Sequence, residues 1–471
     1  MRKLDTYKRL ILLLLSGVCL LLEAGIFFYF WKTNFSPSIT QLTQVPYYFR
    51  ADLLEVGMYG AILLFLSKMY GGARIGYLKN AEVVFSQAFA LVATNVIMYA
   101  ELSIMAKQLF IFRMFLLMTV AQLLVAIVWN NVAYWIYKSI FPPREMLLIH
   151  GDRPIEGILN KFADRKDKYD IVKCMHVSEG EDAIQKEILT GLDGKAYQAV
   201  VIWDISTEER SKFLKFCYAH SIRFYIMPKI TDVIMLGAEE LHLFDTPILL
   251  TREYSLTMEQ RFAKRAVDII CSLILLIIAS PIMLITAIAI KLYDRGPVLY
   301  KQVRCTKDQR EFYIMKFRSM RTDAEKDGVA RLAKKDDDRI TPLGKFIRKV
   351  RIDELPQLIN ILKGDMSFIG PRPERPEIIA QYLEVMPEFA YRMKVKAGLA
   401  GYAQVYGKYN TTPYDKLKLD LTYIENYSFW MDIQLMLLTL KILFWPDSTE
   451  GVESEQITAL KQEMENTRKS E

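Results

Sequence analysis

The adjacent carboxylates Asp353 and Glu354 are the leading candidates for chemistry in this 471-residue sequence. They lie in Arg351-Ile-Asp-Glu-Leu-Pro356, a pattern typical of a helix start, because Asp is a favoured N-cap and Pro is tolerated in the first turn. The free amides there favour anions, so a phosphate could bind nearby. Two neighbouring carboxylates repel each other, and Mg²⁺ bound by both would relieve this. Taken alone, the motif is more typical of a capping pair on a surface helix.

Cations cluster on both sides of this pair. Lys316 and Arg318 lie in KFRSMR, and Arg372 lies in the stiff turn Gly-Pro-Arg-Pro with Arg375 close behind. The planar guanidinium of arginine suits bidentate contact with phosphate oxygens. The basic and apolar segment 345–351 is typical of a chain lying at an anionic membrane surface. Each cluster alone is more typical of a solvated cationic face.

Histidine and cysteine narrow the chemistry. No histidine follows His242, so a base or nucleophile near the carboxylates would have to be a carboxylate, Cys, Lys, Tyr, Ser or Thr. The five cysteines form no C-x-x-C pair, which indicates reduced thiols without a disulfide framework or a zinc site.

The elements that would carry these residues divide the chain into four segments. Residues 1–144 contain four apolar stretches, near 10–30, 53–68, 83–105 and 109–137, and predict a four-helix transmembrane bundle. The Lys and Arg bias of the loops places both ends of the bundle in the cytoplasm.

Residues 145–255 alternate short Val- and Ile-rich runs with helical segments, which predicts a small Rossmann-like parallel α/β module. It lacks G-x-G-x-x-G, so a structural or regulatory role is favoured over a nucleotide site. Residues 256–446 hold the charged motifs, and 447–471 form a polar tail. The net charge of +7 fits anionic lipids or phosphorylated substrates, and no nucleic-acid partner is expected.

The motif-rich segment resembles a known family. The blocks DDDRITPLGKFIRKVRIDELPQLINILKGDMSFIGPRPERPE and KFRSMRTDAE resemble those of bacterial sugar transferases, the polyprenyl-phosphate hexose-1-phosphate transferases. With its bundle and α/β module, the chain is similar to the larger members, the undecaprenyl-phosphate glucose or galactose phosphotransferases that start capsule and exopolysaccharide synthesis.

The resemblance implies a mechanism. Asp353 matches a nucleophile that attacks the sugar-proximal phosphate of a UDP-sugar, so that UMP leaves and an aspartyl-phosphosugar remains for undecaprenyl phosphate to attack. Glu354 matches its partner, and both are expected to hold Mg²⁺. Lys316, Arg318 and Arg372 match cationic positions expected to bind phosphates, and Asp420 matches a further acidic position. Arg375, close behind the Arg372 turn, is also expected to bind substrate.

The resemblance also reinterprets the apolar helix at 264–291. Ser280-Pro281 interrupts it, and in the family this break returns the helix to the face it entered from. The catalytic domain would then be monotopic and cytoplasmic, in the bacterial inner (plasma) membrane. Departures from the family pattern are Cys305 for Gly, Ala397 for Pro and Ala400 for Thr.

Other interpretations remain open at this point. Asp353 could be the base of an inverting glycosyltransferase that releases UDP, the chain could be a membrane scaffold, or the α/β module could belong to a nucleotide-sugar oxidoreductase. Downstream glycosyltransferases and a second copy of the chain are expected partners. The sugar is not specified.

Overall fold

The computed structural model divides the chain into two compact units, Met1–Met227 and Pro228–Glu471. The structure describes residues 3–44, 49–191, 194–251, 256–321, 339–407 and 411–444. The predicted polar tail at 447–471 lies outside the described residues, as does part of each family block, at 322–325 and 336–338.

Long apolar helices open the first unit. They are α1 (Lys8–Phe30), continued by a π-helical turn (Trp31–Phe35) and α2 (Ser36–Thr43), then α3 (Phe49–Tyr70), α4 (Asn80–Met105) and α5 (Phe112–Ile140). Three of the four apolar stretches of the sequence fall inside α1, α3 and α4, and the fourth lies in α5 except for its first three residues. All four helices are long and apolar enough to cross a membrane. Helix α1 contacts α3 and α5, and α4 contacts the same two helices.

The buried side of these helices is lined by aromatic and polar residues, whereas many Leu, Ile and Val side chains face outward. Phe27 stacks on Tyr59 with ring centroids 4.1 Å apart. Gln122 donates to the Tyr59 hydroxyl at 2.8 Å and to the carbonyl of Glu23 at 2.9 Å. An apolar outer face with internally paired polar groups is the arrangement that a hydrocarbon environment requires.

A parallel sheet follows in the same unit, as the sequence predicted. Its strands are β1 (Arg144–His150), β2 (Tyr169–His176), β3 (Ala199–Trp203) and β4 (Arg223–Ile226), in the order β2-β1-β3-β4. Helices α6 (Glu156–Ala163), α7 (Glu181–Thr190) and α8 (Thr207–Ala219) connect them. Gly151 ends β1 against β3, where a Cβ would lie 2.1 Å from the Asp204 carbonyl oxygen. Glycine at 151 therefore lets the chain pass close to the segment that follows β3.

The second unit begins with a short helix, a hairpin and a long helix. These are α9 (Ile230–Leu236), the antiparallel strands β5 (Glu239–Leu243) and β6 (Thr246–Leu250), and α10 (Met258–Asp294). A second antiparallel hairpin consists of β7 (Leu299–Cys305) and β8 (Glu311–Phe317).

The remaining elements complete the second unit. They are α11 (Pro342–Lys349), α12 (Gln357–Lys363), β9 (Ser367–Ile369), α13 (Pro376–Val385), β10 (Gly398–Ala400), α14 (Tyr402–Tyr406), α15 (Pro413–Glu425) and α16 (Phe429–Leu443). Strands β9 and β10 pair in parallel. The main core is built from residues of most elements of this unit, among them α9, α12, α15 and α16, and includes Ile361, Phe389 and Leu417, each fully buried.

Helix α10 is the fifth helix long and apolar enough to cross a membrane. Pro281 lies inside it, and the Ser280 hydroxyl donates to the Ile277 carbonyl at 2.8 Å. Its first half is tied to the core of the second unit, because Asp268 accepts from the Ser367 hydroxyl and the Phe368 amide, both at 2.9 Å.

The second half of α10 packs against the same unit. Ile290 is buried with Phe317 and Ile347, and Ile352 packs against this cluster. The middle of the helix, including Ile277 and Ile278, is exposed. Both halves of this apolar helix therefore contact one domain, while its centre contacts little of it.

Candidate functional site

The carboxylate pair lies on a tight turn and not at the cap of an α-helix. Residues Ile352–Glu354 form a 3₁₀ turn, and α12 begins only at Gln357 with Pro356 as its N-cap residue. The expectation that Asp353 caps a helix is therefore wrong. Arg351, with φ of 58°, turns the chain sharply between α11 and this segment. A non-glycine residue in that region is uncommon, and such residues often occur at functional sites.

Glu354 is surrounded by cations. Its Oε1 accepts from Lys316 Nζ at 2.9 Å and lies 3.6 Å from Arg372 Nη2, while its Oε2 lies 3.9 Å from Arg351 Nη1. Burial alone would raise the pKa of Glu354, but the charges of these three residues outweigh it and hold that pKa far below its usual value. Glu354 is therefore ionised throughout the physiological range.

Asp353 has a different environment. Its side chain is 8% exposed, and burial, together with the charge of Glu354, raises its pKa to about 6, against the opposing effect of Lys316, Arg348 and Arg351. Among the described residues, no hydrogen bond or close ion pair engages its carboxylate. One carboxylate of the pair is thus held by cations, and the other is free to react.

Asn360 connects the two elements that bring Lys316 to Glu354. Its amide donates to the Tyr313 carbonyl at 2.9 Å and accepts from the Met315 amide at 3.0 Å. These bonds fix α12, which follows the carboxylate turn, against β8, which carries Lys316. Asn360 is 1% exposed. It belongs to the RIDELPQLIN motif, but its type and spacing gave no separate signal for this role.

Arg372 reaches Glu354 from a turn that follows β9. This turn passes so close to β10 that a side chain would not fit at either glycine. A Cβ on Gly370 would lie 2.3 Å from the Lys396 carbonyl oxygen, and one on Gly398 would lie 2.1 Å from the Gly370 amide nitrogen. Glycine is therefore required at both positions for the turn to pack against β10. The sequence-based expectation of a stiff turn that presents Arg372 agrees with this geometry.

Three other residues predicted to bind substrate have different surroundings. Arg318 donates from Nε to the Pro297 carbonyl at 2.8 Å and pairs with Asp294, at the end of α10. Asp420 is 1% exposed and pairs with Arg392 at 2.8 Å. Burial raises the pKa of Asp420, although the charges of Arg392 and Lys416 oppose the shift.

Arg375 directly precedes α13. The pKa of Arg304 is lowered mainly by burial, and the positive charge of Arg375 lowers it further. The structure thus brings Lys316 and Arg372 to the carboxylate pair. The substrate contacts of Arg318, Arg375 and Asp420 stay predictions.

The donor set suits a hard cation shared with a substrate better than a closed protein cage. The described residues contain no group of three or more His, Cys, Asp or Glu side chains that could hold a metal ion. Asp353 and Glu354 supply two adjacent carboxylates, and Mg²⁺ is commonly held by one or two carboxylates together with substrate phosphates. The pair fits that mode of binding.

Two of the departures from the family pattern meet behind the Arg372 turn. Cys305 and Ala397 line one small cavity together with Pro371, Arg372 and other residues. The third departure, Ala400, lies in β10, paired with Ile369.

Comparison with known proteins identifies the second unit. The family model described as Bacterial sugar transferase matches residues 259–446. The UDP-glucose:undecaprenyl-phosphate glucose-1-phosphate transferase of Caulobacter vibrioides is 37% identical over 190 residues, covering 71% of that protein and 39% of this chain. The chain belongs to the bacterial sugar transferase family.

Two further relatives of this sugar transferase share the same region. A UDP-N-acetylgalactosamine-undecaprenyl-phosphate N-acetylgalactosaminephosphotransferase of Aeromonas hydrophila is 44% identical over 185 residues, which are 39% of this chain and 44% of that protein. A UDP-glucose:undecaprenyl-phosphate glucose-1-phosphate transferase of Escherichia coli is 37% identical over 211 residues, which are 44% of each. The matched region thus spans less than half the length of these two relatives.

Proposed function

We propose that this chain transfers a hexose-1-phosphate from a UDP-sugar to undecaprenyl phosphate and releases UMP. The observation that carries the proposal is the unequal carboxylate pair. Glu354 is held by three cations, whereas Asp353 is buried beside it with no hydrogen-bond or close ion-pair partner in the described part of the chain. Relatives that share this domain are named for transfer of a sugar phosphate to undecaprenyl phosphate. The relatives named for N-acetylgalactosamine and glucose leave the sugar open.

In the proposed first step, a carboxylate oxygen of Asp353 forms a bond to the sugar-proximal phosphorus of the UDP-sugar. The bond from that phosphorus to the bridging oxygen breaks, and UMP leaves with the electron pair. Asp353 is suited to this attack because its raised pKa makes it a stronger base than an ordinary carboxylate, yet still ionised near neutral pH.

In the second step, a phosphate oxygen of undecaprenyl phosphate attacks the same phosphorus. The bond to Asp353 breaks, and the carboxylate is restored as undecaprenyl diphosphosugar forms. Lys316, Arg351 and Arg372 would bind the oxygens of the transferring phosphate and stabilise the charge that develops there. The product lipid would be the acceptor for downstream glycosyltransferases, consistent with the start of capsule or exopolysaccharide assembly.

We assign Asp353 and Glu354 to hold Mg²⁺, which would neutralise phosphate charge when bound. Removal of the ion with a chelator is expected to abolish turnover, and added Mg²⁺ is expected to restore it. Calorimetric titration of MgCl₂ into the wild type and Glu354→Gln, each with UDP, tests the assignment independently of activity. Unchanged affinity in the variant would contradict it.

The membrane arrangement follows from α10. We infer that both of its ends lie on the cytoplasmic side of the bacterial inner membrane, because both halves contact the domain that carries the carboxylate pair. Cytosolic UDP-sugars would then reach Asp353, while the exposed apolar middle of the helix lies in the lipid.

The decisive experiment separates covalent transfer from direct attack. Enzyme mixed with a UDP-sugar and Mg²⁺, without undecaprenyl phosphate, is expected to release up to one UMP per site and to gain the mass of the sugar phosphate. Asp353→Asn keeps the shape but weakens the nucleophile, so both signals should disappear. A matched control is Asp365→Asn, a partly exposed aspartate that follows α12.

Other outcomes support other mechanisms. Release of UMP only when both substrates are present, without an adduct, would indicate direct attack by the lipid phosphate. Release of UDP instead of UMP would indicate an inverting glycosyltransferase with Asp353 as its base. A panel of UDP-sugars, including glucose, galactose and N-acetylgalactosamine, identifies the substrate in the same assay.

A further inference from the structure

The turn that carries Arg372 has every one of its backbone carbonyls from 371 to 374 engaged in a hydrogen bond. The first and last of them bond to the main chain. The Pro371 carbonyl accepts from the Gly398 amide at 2.9 Å, and the Glu374 carbonyl accepts from the Cys305 amide at 3.0 Å. These two bonds join the turn to β10 and to the end of β7.

The two inner carbonyls bond to arginine side chains. Arg392 Nη2 donates to the Arg372 carbonyl at 3.1 Å, and Arg304 Nη1 donates to the Pro373 carbonyl at 3.1 Å. Arg392 is 2% exposed. A buried guanidinium is expensive to desolvate, so its placement on a backbone carbonyl calls for a compensating charge.

Two carboxylates supply that charge. Arg392 pairs with Asp420 at 2.8 Å and lies 3.7 Å from Glu374. Arg304 Nη1 lies 3.7 Å from Glu374 Oε2, whereas Lys416 pairs with Oε1, the oxygen nearer Arg392. The cations outweigh burial and lower the pKa of Glu374 to about 2, so both guanidinium groups face an ionised partner at neutral pH. The network lies behind the turn, whereas Arg372 extends in front of it towards Glu354.

We propose that Arg392 and Arg304 are positioning residues for the reaction, which hold the backbone of the turn so that the Arg372 guanidinium meets Glu354 and the phosphate oxygens of a nucleoside diphosphate sugar. Asp420 acts one step further back, through Arg392. The reaction named here rests on the proposed function, whereas the ordering of the turn rests on geometry alone.

The first test measures the turn itself, in the full chain in detergent. Arg392→Lys keeps the charge opposite Asp420, but a single ammonium cannot reproduce the forked contact with both a carboxylate and a carbonyl. Hydrogen exchange of peptides covering residues 366–378 is expected to be faster in this variant and unchanged in peptides of the β1–β4 sheet. Arg392 and Lys394 lie in one 3₁₀ helix, Pro387–Lys394, and Lys394 is exposed, so Lys394→Gln is the matched control.

The second test asks whether Arg392 acts through Arg372. Arg392→Lys is expected to lower kcat/KM for UMP release by about a hundredfold, the size of effect that a shift of about 1 Å in the Arg372 guanidinium would produce. The loss should divide between kcat and KM in the same ratio as it does in Arg372→Ala. In an Arg372→Ala background, the same change should have less than about a threefold effect, because contacting residues in one network are non-additive.

The outcomes separate the two levels of the proposal. Unchanged exchange in the turn, or a full further loss in the Arg372→Ala background, would overturn the positioning role. If no UDP-sugar yields UMP with the wild type, the proposed function fails, while the exchange measurement still decides whether Arg392 orders the turn. Arg304→Lys repeats both tests at the Pro373 carbonyl if Arg392→Lys does not fold.

Discussion

Asp353 and Glu354 are adjacent in sequence but differ in their surroundings. The three cations stabilise the ionised form of Glu354, whereas burial and its charged neighbour destabilise the ionised form of Asp353. Unequal environments are a common way to give two carboxylates different roles. Here they favour Asp353 as the nucleophile and Glu354 as the residue that organises cations.

This difference predicts a pH dependence. Under the proposed reaction, Asp353 must be ionised to attack, and its pKa is raised to about 6. We therefore expect kcat/KM for the UDP-sugar to reach its plateau well above pH 6 and to fall as the pH drops through that value. Lys316 lowers the pKa of Asp353, so Lys316→Met should raise it and move the midpoint to higher pH. Initial rates of UMP release across a pH series measure the midpoint.

Lys345→Met provides the control for this series. Lys345 is an exposed cation of α11 and is not among the residues that shift Asp353, so its loss should leave the midpoint unchanged. A midpoint that stays in place, or moves to lower pH, in Lys316→Met would show that Asp353 is not the titrating group.

Residue types and motif order singled out the carboxylate pair, Lys316 and Arg372, and the structure brings these residues together. Residue types and order could not show that Asn360 joins α12 to β8, because that role depends on one backbone carbonyl, of Tyr313, and one backbone amide, of Met315, in a strand distant in sequence. The family resemblance placed Asp420 among the substrate-binding residues, and that contact stays a prediction. The sequence does not reveal that Asp420 is 1% exposed and paired with Arg392.

At the scale of elements, α10 has the most unusual contacts. Polar groups in its first half, Lys264 and Asp268, bond to α16 and to the start of β9, and Ile290 in its second half is buried beside β8 and α11. Between them lies the apolar middle with Pro281. Proline removes one backbone hydrogen bond and favours a bend at this point.

The resulting prediction concerns topology. Single cysteines at Glu259 and Leu292, both exposed near the two ends of α10, should react with a membrane-impermeant maleimide only from the cytoplasmic side. The experiment requires a background without the five native cysteines. A cysteine in the loop at Lys107, between two helices of the first unit, is the control expected to react from the opposite side. Labelling of the ends of α10 from opposite sides would establish a spanning helix.

Hydrophobic periodicity predicted the helices and the parallel strands well, because long apolar runs and Val- and Ile-rich runs have few alternatives. The capping pattern of Asp353 and Pro356, in contrast, was wrong about the helix start. Arg351 adopts the left-handed conformation, and the chain forms a 3₁₀ turn before α12 begins at Gln357. Nothing in the residue types of Arg351-Ile352-Asp353 distinguishes that turn from an N-cap.

At the scale of the whole molecule, the division between the units falls at Met227–Pro228. The sequence-based boundary at 255/256 assigned α9 to the α/β module, and the domain limits themselves stay a prediction. In the structure, Ile230 and Val233 of α9 are buried in the core of the second unit, where α9 contacts α15. Composition could not show this, since α9 continues the α/β alternation without a break.

Two fragments test the independence of the second unit. One begins at Pro228 and the other at Leu256, and both end at Glu471. Burial of Ile230 and Val233 stabilises the folded second unit by roughly 1.5–3 kcal/mol per side chain. The longer fragment, which contains both residues, should therefore melt at the higher temperature. It should also retain UMP release in detergent, since the residues of the site all follow 256. Equal melting temperatures would show that α9 contributes nothing to this core.

The contact of Ile352 with the cluster around Ile290 has a consequence for kinetics. The residue next to Asp353 packs against the membrane helix, so under the proposed reaction the nucleophile works at the surface of the leaflet, where the lipid phosphate already lies. The lipid then need not leave the bilayer, and collisions with it occur in two dimensions. The concentration that governs the second step is the mole fraction of undecaprenyl phosphate in that leaflet, whatever the volume of solution around it.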